Sequence, residues 1–334
     1  LNSLISILIF KYIYMKQKNC LIWGASGQIG RNLIRKLTKN NFKVTAVTRN
    51  SHKNGYILKT QANPGFLDIV ETNIFDTNKI DQLTRNADLV INLIGILYEE
   101  SKFTSFENIH VKFPYILSKY CRVNNVEQLI HLSALGIEKA KDSQYAKSKL
   151  DGERVLKTNF EKVTIIRPSI VFSVDDNFTT QFMTMLNLLP FFPLYYKGQT
   201  KFQPIFCSDL TNIIFEIIKK KISSEIIECA GPQILTFEKI IKELLKLIEK
   251  KRLLVPLPDF IGKYSSIFLG YFPKPIITLD QFKILKYDNI LSDQNKNQKS
   301  FNLESTSYFS EEVKKYAYMW KDGGQFSKNS FTKS

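Results

Sequence analysis

The chain has 334 residues, enough for one large domain or for a domain with a smaller lobe, and its apolar fraction of 44% is ordinary for a soluble globular protein. The net charge is +16, but only eight of the 47 basic residues are Arg, the side chain best suited to bidentate recognition of phosphate and guanine. No nucleic-acid-binding motif accompanies this charge, so the prediction is no nucleic-acid partner. A solvated lysine-rich surface is favoured over attraction to an anionic membrane or an acidic protein.

Residues 1–14 are apolar, but the run is too short to span a bilayer and lacks the features of a signal peptide. Two interpretations remain open. The segment is a misassigned start, with translation beginning at Met15, or it is a short anchor that touches a membrane.

Cysteine and histidine provide no pattern for a disulfide framework or a metal site. The four cysteines lack Cys-x-x-Cys spacing, and the three histidines lack ligand spacing: Cys20, Cys121, Cys207, Cys229, His52, His110 and His131. The sequence therefore predicts no metal and a reducing compartment. The expected location is the cytoplasm, with peripheral attachment to the inner face of an energy-transducing membrane as the alternative.

Apolar runs in the first half recur at the spacing of alternating strands and helices. Cys20–Trp23 is a predicted buried strand, followed by a helix with Ile29, Leu33 and Leu37 on one face. Further strands are predicted at residues 43–48, 68–71, 88–94, 128–132, 163–166 and 226–229, with helices at 114–124 and 237–250. This alternation predicts an α/β fold with a doubly wound parallel sheet and a smaller carboxyl-terminal lobe.

The chain is divided at the points where the alternation stops and resumes. Residues 15–168 are predicted to form the sheet domain, with 205–232 returning to it. The second lobe is assigned to 169–204 and 233–300, and 301–334 to a carboxyl-terminal extension.

The segment Gly24-Ala25-Ser26-Gly27-Gln28-Ile29-Gly30 lies between the first strand and the first helix. Glycines in this position permit a tight turn, close approach of a pyrophosphate to the backbone, and packing of the helix on the strand. The start of the helix then offers free N–H groups to the phosphates. The predicted cofactor-binding residues of this loop are Gly24, Ser26, Gly27, Gln28, Ile29 and Gly30.

The second strand ends in Thr48-Arg49-Asn50, without the carboxylate that would bind the ribose 2′-hydroxyl of NAD. Arg49 can pair with a 2′-phosphate, and Arg31 can assist. The sequence therefore favours NADP(H) over NAD(H), and the alternative is that Arg49 is simply a surface side chain.

Residues that follow the later strands are expected to line the same crevice. Asn73 follows the third strand, and Leu93 and Gly95 follow the fourth. Arg167 and Pro168, at the end of the sixth strand, are predicted to shape the nicotinamide end. For this last pair a turn with a surface arginine is an equally good interpretation.

Tyr145 and Lys149 form a Tyr-x-x-x-Lys pair, and i, i+4 spacing places both on one face of a helix. An ammonium beside a phenol favours the phenolate, so this pair is the candidate acid/base set. Ser133, twelve residues before Tyr145, is the candidate auxiliary donor.

Together these motifs resemble an extended or atypical short-chain dehydrogenase/reductase and, more narrowly, the NAD(P)H-binding accessory subunit of respiratory complex I and its bacterial relatives. The matching stretches are residues 90–95, 131–136, 143–153, 166–172, 176–178, 202–205, 231–232 and 277–281, with Asp209. The resemblance implies a tightly bound cofactor with a structural more than a catalytic role. It also implies a hydroxyl at position 134, where this chain has Ala134. An oxyanion-polarising donor is missing if Ser133 does not reach the substrate.

Residues 258–272 place six apolar side chains at helical spacing: Phe260, Ile261, Tyr264, Ile267, Phe268 and Tyr271. A core-facing stripe is the favoured interpretation. Because the stripe is aromatic and flanked by basic residues, a membrane or partner surface is the alternative.

Three functions remain open from the sequence. The leading hypothesis is an accessory protein of the complex I type, docked on membrane machinery, with NADP(H) as a structural ligand. The second is an active NADP(H)-dependent reductase, epimerase or dehydratase on a nucleotide sugar, isoprenoid or quinone precursor. The third is a redox-sensing regulator that binds cofactor and a partner without chemistry.

Overall fold

A computed structural model describes residues 17–272 and 275–324 of the chain. The predicted anchor or misassigned start at 1–14 lies outside the described residues. Among the residues described, no helix combines the length and apolar content needed to cross a bilayer.

Seven parallel strands form the main sheet, in the spatial order β11-β6-β5-β4-β1-β2-β3. Their bounds are β1 Asn19–Trp23, β2 Lys43–Thr48, β3 Leu67–Glu71, β4 Leu89–Asn92, β5 Gln128–Leu132, β6 Val163–Pro168 and β11 Ile226–Cys229. The central strands β4 and β5 are buried along their whole length, because helices cover both faces of the sheet. The predicted doubly wound α/β fold is confirmed, and residues 226–229 add the seventh strand.

Helices connect these strands and cover the two faces. Those between β1 and β11 are α1 Gln28–Lys39, α2 Ser51–Lys59, α3 Thr77–Arg85, α4 Phe113–Val123, α5 Gln144–Asn159, α6 Thr179–Leu188 and α7 Cys207–Lys219. A π-helical turn, Glu107–Lys112, leads directly into α4. One face of the sheet packs α1 and α7 in a shared core, and the other packs α4 and α5.

The later part of the chain builds a second hydrophobic core. Its short strands are β7 Val171–Phe172, β8 Phe191–Leu194, β9 Lys201–Phe202, β10 Ile205–Phe206, β12 Leu235–Thr236 and β13 Leu253–Pro256. Its helices are α8 Phe237–Leu247, α9 Asp259–Gly270, α10 Leu279–Ile284 and α11 Phe309–Ala317, with 3₁₀ turns at Tyr195–Gly198, Gln298–Phe301 and Tyr318–Trp320. Helices α6, α8 and α11 bury their apolar faces against one another.

The aromatic stripe of α9 points into solvent. Phe260, Tyr264 and Phe268 are 64%, 69% and 67% exposed. The small residues Gly262 and Ser266 occupy the buried face instead, because a Cβ at Gly262 would already lie 2.7 Å from the ring of Phe282. The core-facing prediction is therefore wrong: helical spacing identifies an apolar stripe but not what covers it.

Candidate functional site

The candidate site lies where the strand order reverses, between β1 and β4. Strand β1 has β2 on one side and β4 on the other, so the chain first builds the sheet outward from β1 to β2 and later resumes it at β4 on the opposite side. In open parallel sheets the crevice beyond the carboxyl ends of two such strands is the usual ligand site. The glycine-rich loop after β1 and the segment after β4 form its walls.

Two of the three loop glycines are required by the backbone. Gly24 has φ +79°, and a Cβ there would lie 3.1 Å from the carbonyl carbon of Leu93. At Gly30 a Cβ would lie 2.5 Å from the carbonyl oxygen of Ala25, so only glycine lets α1 pack on the loop. The exposed Gly27 is the N-cap residue of α1 and leaves the start of that helix uncovered.

The first turn of α1 presents unpaired backbone donors. Helix α1 has no side-chain cap, and in the part of the chain that the structure describes the N–H groups of Gln28, Ile29 and Gly30 have no acceptor. Orphan donors at a helix start attract anions, and the helix dipole adds to the attraction. This cradle fits a dinucleotide diphosphate.

A loop that follows β7 lies against the glycine loop, which the sequence did not predict. Ser173 donates a hydrogen bond to Oε1 of Gln28 at 2.6 Å, and the Arg31 guanidinium pairs with Asp175. Arg31 also donates to the carbonyl of Ser26 at 2.6 Å. Arg31 therefore belongs to the phosphate end of the crevice.

The residues predicted for the adenosine end lie at the carboxyl ends of β2 and β3. Arg49 is exposed, and no hydrogen bond or ion pair links it to any other described residue. Asn73 is exposed and its side chain accepts from the N–H of Phe75. Both residues therefore lie at the carboxyl ends of the strands, the same end of the sheet as the glycine loop.

Leu93 and Gly95 connect the two ends of the crevice. The Leu93 N–H donates to the carbonyl of Trp23 at 3.0 Å, which ties the segment after β4 to the end of β1. A Cβ on Gly95 would lie 3.1 Å from Nζ of Lys149. Glycine at this position lets the backbone approach the lysine.

Tyr145 and Lys149 share one face of α5, as their spacing predicts. Nζ of Lys149 donates to the carbonyl of Leu132 at 3.2 Å, and burial lowers the pKa of this lysine to about 8. Burial and the negative charge of Asp280 raise the pKa of Tyr145 to about 12. The use of this pair as an acid/base set stays a prediction, and the structure adds burial and Asp280 as the influences on the pKa of Tyr145.

Ser133 lies at the end of β5, and its Oγ is buried without a hydrogen-bond partner among the described residues. A buried unpaired hydroxyl is uncommon, and at a crevice it fits a polar ligand group. Ala134, the next residue, supplies no hydroxyl.

Two buried histidines beside this pair were missed at the sequence level. His110, on the π-helical turn, accepts at Nε2 from the N–H of Ile96 at 3.2 Å, so its proton sits on Nδ1, 2.8 Å from Oγ of Ser148. His131 on β5 lies with Nδ1 3.1 Å from the side-chain amide nitrogen of Asn92. For His131 the signal available was an isolated polar residue within the apolar strand β5, whereas His110 lies among polar residues and the sequence offered no such signal.

Both histidines are expected to make folding stability depend on pH. Burial lowers the pKa of His110 to about 2 and that of His131 well below its ordinary value. Between those values and about 6.5 the unfolded chain binds more protons, so stability rises with pH in this window and is level above it. Lowering the pH from about 7.5 to about 5.5 should decrease the free energy of unfolding by roughly 3 kcal/mol in total.

Denaturant titrations across this pH range provide the measurement. In His110→Gln the slope against pH should fall to about half, because one of the two groups is gone. An unchanged slope in the variant would contradict the assignment of the neutral His110.

Arg167 is buried and belongs to an ion-pair cluster. Its Nε and Nη2 donate to Glu153 at 2.9 and 2.6 Å, and its Nη1 donates to Glu138 at 2.7 Å. The carbonyl of Pro168 accepts from the N–H of Leu135 at 2.9 Å. These contacts favour a structural role for both residues over the predicted contact with nicotinamide.

The described residues contain no group of three or more His, Cys, Asp or Glu side chains arranged to hold a metal ion. What the crevice does offer is a phosphate cradle, two basic residues near it and a tyrosine–lysine face. That set defines a nicotinamide-dinucleotide-binding protein of the Rossmann class.

Residues 24–191 match the family model described as NAD(P)H-binding, which spans half of the chain. The chain belongs to this NAD(P)H-binding family. It is 25% identical to the mitochondrial NADH-ubiquinone oxidoreductase 40 kDa subunit of Neurospora crassa, over 85% of this chain and 74% of that protein. It is 28% identical to the mitochondrial NADH dehydrogenase (ubiquinone) 1 alpha subcomplex subunit 9 of Dictyostelium discoideum, over 73% and 68% of the two chains.

Solved structures share the fold at low identity. A UDP-glucuronic acid 4-epimerase from Bacillus cereus, in complex with UDP-glucuronic acid and NAD, aligns with a TM-score of 0.67 and 20% identity, covering 90% of this chain and 98% of the other. A dTDP-glucose 4,6-dehydratase from Bacillus anthracis, in complex with NAD, aligns with a TM-score of 0.68 and 14% identity, covering 91% and 96%. At these identities the likeness establishes the architecture alone.

Proposed function

We propose that this chain is a dinucleotide-binding accessory subunit of respiratory complex I, peripheral on the inner face of an energy-transducing membrane. The observation that carries the proposal is its similarity to the 40 kDa subunit over 85% of the chain. The relatives named above are mitochondrial complex I proteins, and the similarity extends well beyond the glycine loop into the second lobe.

The cofactor is proposed to be a structural ligand. A bound nicotinamide would supply hydride chemistry, and the protein would have to supply the acid or base for the accompanying proton. A pKa near 12 disfavours the Tyr145 phenolate as that base, and Nζ of Lys149 is already bonded to the Leu132 carbonyl. The absent hydroxyl at Ala134 acts in the same direction.

The dinucleotide is proposed to be NADP(H). The diphosphate would bind at the amides of Gln28, Ile29 and Gly30, while the exposed Arg49 would meet a 2′-phosphate. Arg31, which the sequence offers as an assisting residue, is paired with Asp175. Asn73, Leu93, Gly95 and the face of Tyr145 and Lys149 would line the rest of the crevice, with the Ser133 hydroxyl available to the nicotinamide end.

Arg49→Ala is expected to weaken NADPH binding about tenfold and to leave NADH binding unchanged, because only NADPH carries the phosphate that this guanidinium would bind. Isothermal calorimetry with both nucleotides measures the two affinities. Arg85→Ala is the matched control, since Arg85 is an exposed arginine at the end of α3, beside the amino ends of β1 and β4. Equal losses for NADPH and NADH would contradict the preference.

The aromatic stripe of α9 is proposed as the surface that meets the membrane or a respiratory-chain subunit. The aromatic rings of this helix are exposed, and Lys263 lies within the same helix. The whole chain carries a net charge of +16. Aromatic and basic side chains on one helix suit an interface with anionic headgroups.

Affinity purification from native membranes tests the proposed function. A tagged chain, solubilised with a mild detergent, should recover other complex I subunits and release NADP(H) on denaturation. Mass spectrometry and nucleotide analysis detect both, with untagged cells as the control. Recovery of the protein without any respiratory-chain subunit would refute the proposal.

An active NADP(H)-dependent reductase, epimerase or dehydratase is the second candidate, with a nucleotide sugar, isoprenoid or quinone precursor as substrate. It is favoured by the presence of both Tyr145 and Lys149 on one helical face. A change in a cellular metabolite in Tyr145→Phe cells, with complex I assembly intact, would support it over the accessory function.

A further inference from the structure

The amino terminus of α5 is capped by a residue 135 positions further along the chain. Asp280, in the first turn of α10, accepts from the N–H of Gln144 at 2.7 Å and from the N–H of Tyr145 at 2.9 Å. It also accepts from Oγ of Ser143 at 2.8 Å. A single carboxylate therefore satisfies two of the orphan donors that begin this helix.

The remaining donor of that turn is satisfied locally. Ser143, the N-cap residue, accepts from the N–H of Ala146 at 3.1 Å. Asp280 is itself held in place, because Thr278 and Gln281 form a reciprocal capping box at the start of α10. The carboxylate is thus fixed by one helix and directed at another.

This contact lies beside the candidate acid/base residue. Tyr145 packs in one small apolar cluster with Tyr287, and its ring meets that of His110 edge to face at 5.5 Å. The ionisable groups that face this region from the packed elements are Lys149 on α5, His110 on the π-helical turn, Asp142 before α5, and Asp280, Lys283 and Tyr287 on or after α10.

We propose that Asp280 is a positioning residue: its carboxylate holds the first turn of α5 in place and sets a negative charge against the backbone of Tyr145. A negative charge at a helix start stabilises the helix, and the same charge opposes ionisation of a nearby phenol. The rise in the pKa of Tyr145, caused by burial and then by Asp280, agrees with this geometry. The inference does not depend on the respiratory partner, and it stands if no such partner is recovered.

Asp280→Asn, which keeps the shape and removes the charge, is the decisive variant. Ultraviolet titration of tyrosinate between about pH 9 and about pH 12 measures ionisation of the tyrosines. The difference between each protein and its Tyr145→Phe partner isolates the signal of Tyr145. In Asp280→Asn the Tyr145 signal should appear about one pH unit earlier than in the parent protein. Asp280→Glu, which restores the charge, should return it toward the parent value.

Two controls separate charge from structure. Ser143→Ala weakens the cap of α5 without removing the carboxylate, and Asp209→Asn neutralises a carboxylate that clamps Ser305, Thr306 and Ser307 elsewhere. Neither should shift the Tyr145 signal. If Asp280→Asn does not fold, Asp280→Gln against Asp280→Glu gives the same comparison. Equal signals in the neutral and charged variants, or an equal shift in Ser143→Ala, would overturn the inference.

Discussion

Replacing Gly152 by alanine is expected to lower the free energy of unfolding by about 3 kcal/mol. Gly152 lies in α5 where the π-helical turn crosses it, and a Cβ would stand 1.9 Å from the carbonyl oxygen of His110. This obstacle is backbone, so the π-helical turn must move away from α5 as a unit. The bond between His110 and Ser148 should be lost with it, because it bridges the same two elements.

Denaturant unfolding of the variant, with Gly55→Ala as the matched control, measures the effect. Gly55 lies within α2, and a Cβ there would meet nothing within 4 Å. Alanine at that position should stabilise the protein by about 0.5–1 kcal/mol through its helix propensity. Equal changes in the free energy of unfolding for Gly152→Ala and Gly55→Ala would contradict the close packing of α5 on the π-helical turn.

Arg167→Met is expected to decrease the free energy of unfolding by about 3–5 kcal/mol. Arg167 and Glu153 are both buried, with side chains 3% and 4% exposed, and the guanidinium holds that carboxylate through two hydrogen bonds. Removing the arginine leaves Glu153 charged and unpaired in the interior. The stability lost by leaving Glu153 unpaired should exceed the stability gained by burying the methionine side chain.

Calorimetry and denaturant unfolding together distinguish this structural role from the contact with nicotinamide considered for Arg167. NADPH affinity per folded molecule should remain unchanged in the variant. Arg154→Met, which breaks an exposed pair with Asp151, should alter stability by less than about 1 kcal/mol. A large loss of NADPH affinity with little loss of stability would assign Arg167 to the cofactor.

Local pattern was sufficient for the sheet and the phosphate loop. Strands β2, β5 and β11 form at their predicted residues, because apolar and β-branched side chains predominate in them and suit a sheet that helices cover. The glycine loop was also predictable from local sequence. Gly24 and Gly30 lie where any side chain would contact the backbone, so glycine is required at both positions.

The electrostatics of the site could not be derived in this way. The i, i+4 spacing of Tyr145 and Lys149 correctly placed them on one face, but the pKa of Tyr145 depends on burial and on Asp280, which is remote in sequence. The contact between Arg31 and Asp175 likewise joins helix α1 to a loop 144 residues further along the chain. Such pairings arise from tertiary packing, and no window of the sequence contains both partners.

The sheet ends at β11, whose outer edge is covered by a late segment of the same chain. The N–H of Glu228 donates to the carbonyl of Lys296 at 2.9 Å, and Gln298 exchanges hydrogen bonds with both backbone groups of Ala230. During synthesis this edge is complete only after residue 298 has left the ribosome. Until then a buried, apolar strand presents free backbone groups to other nascent chains, so release of the last part of the chain is the step that protects the protein from edge-to-edge aggregation.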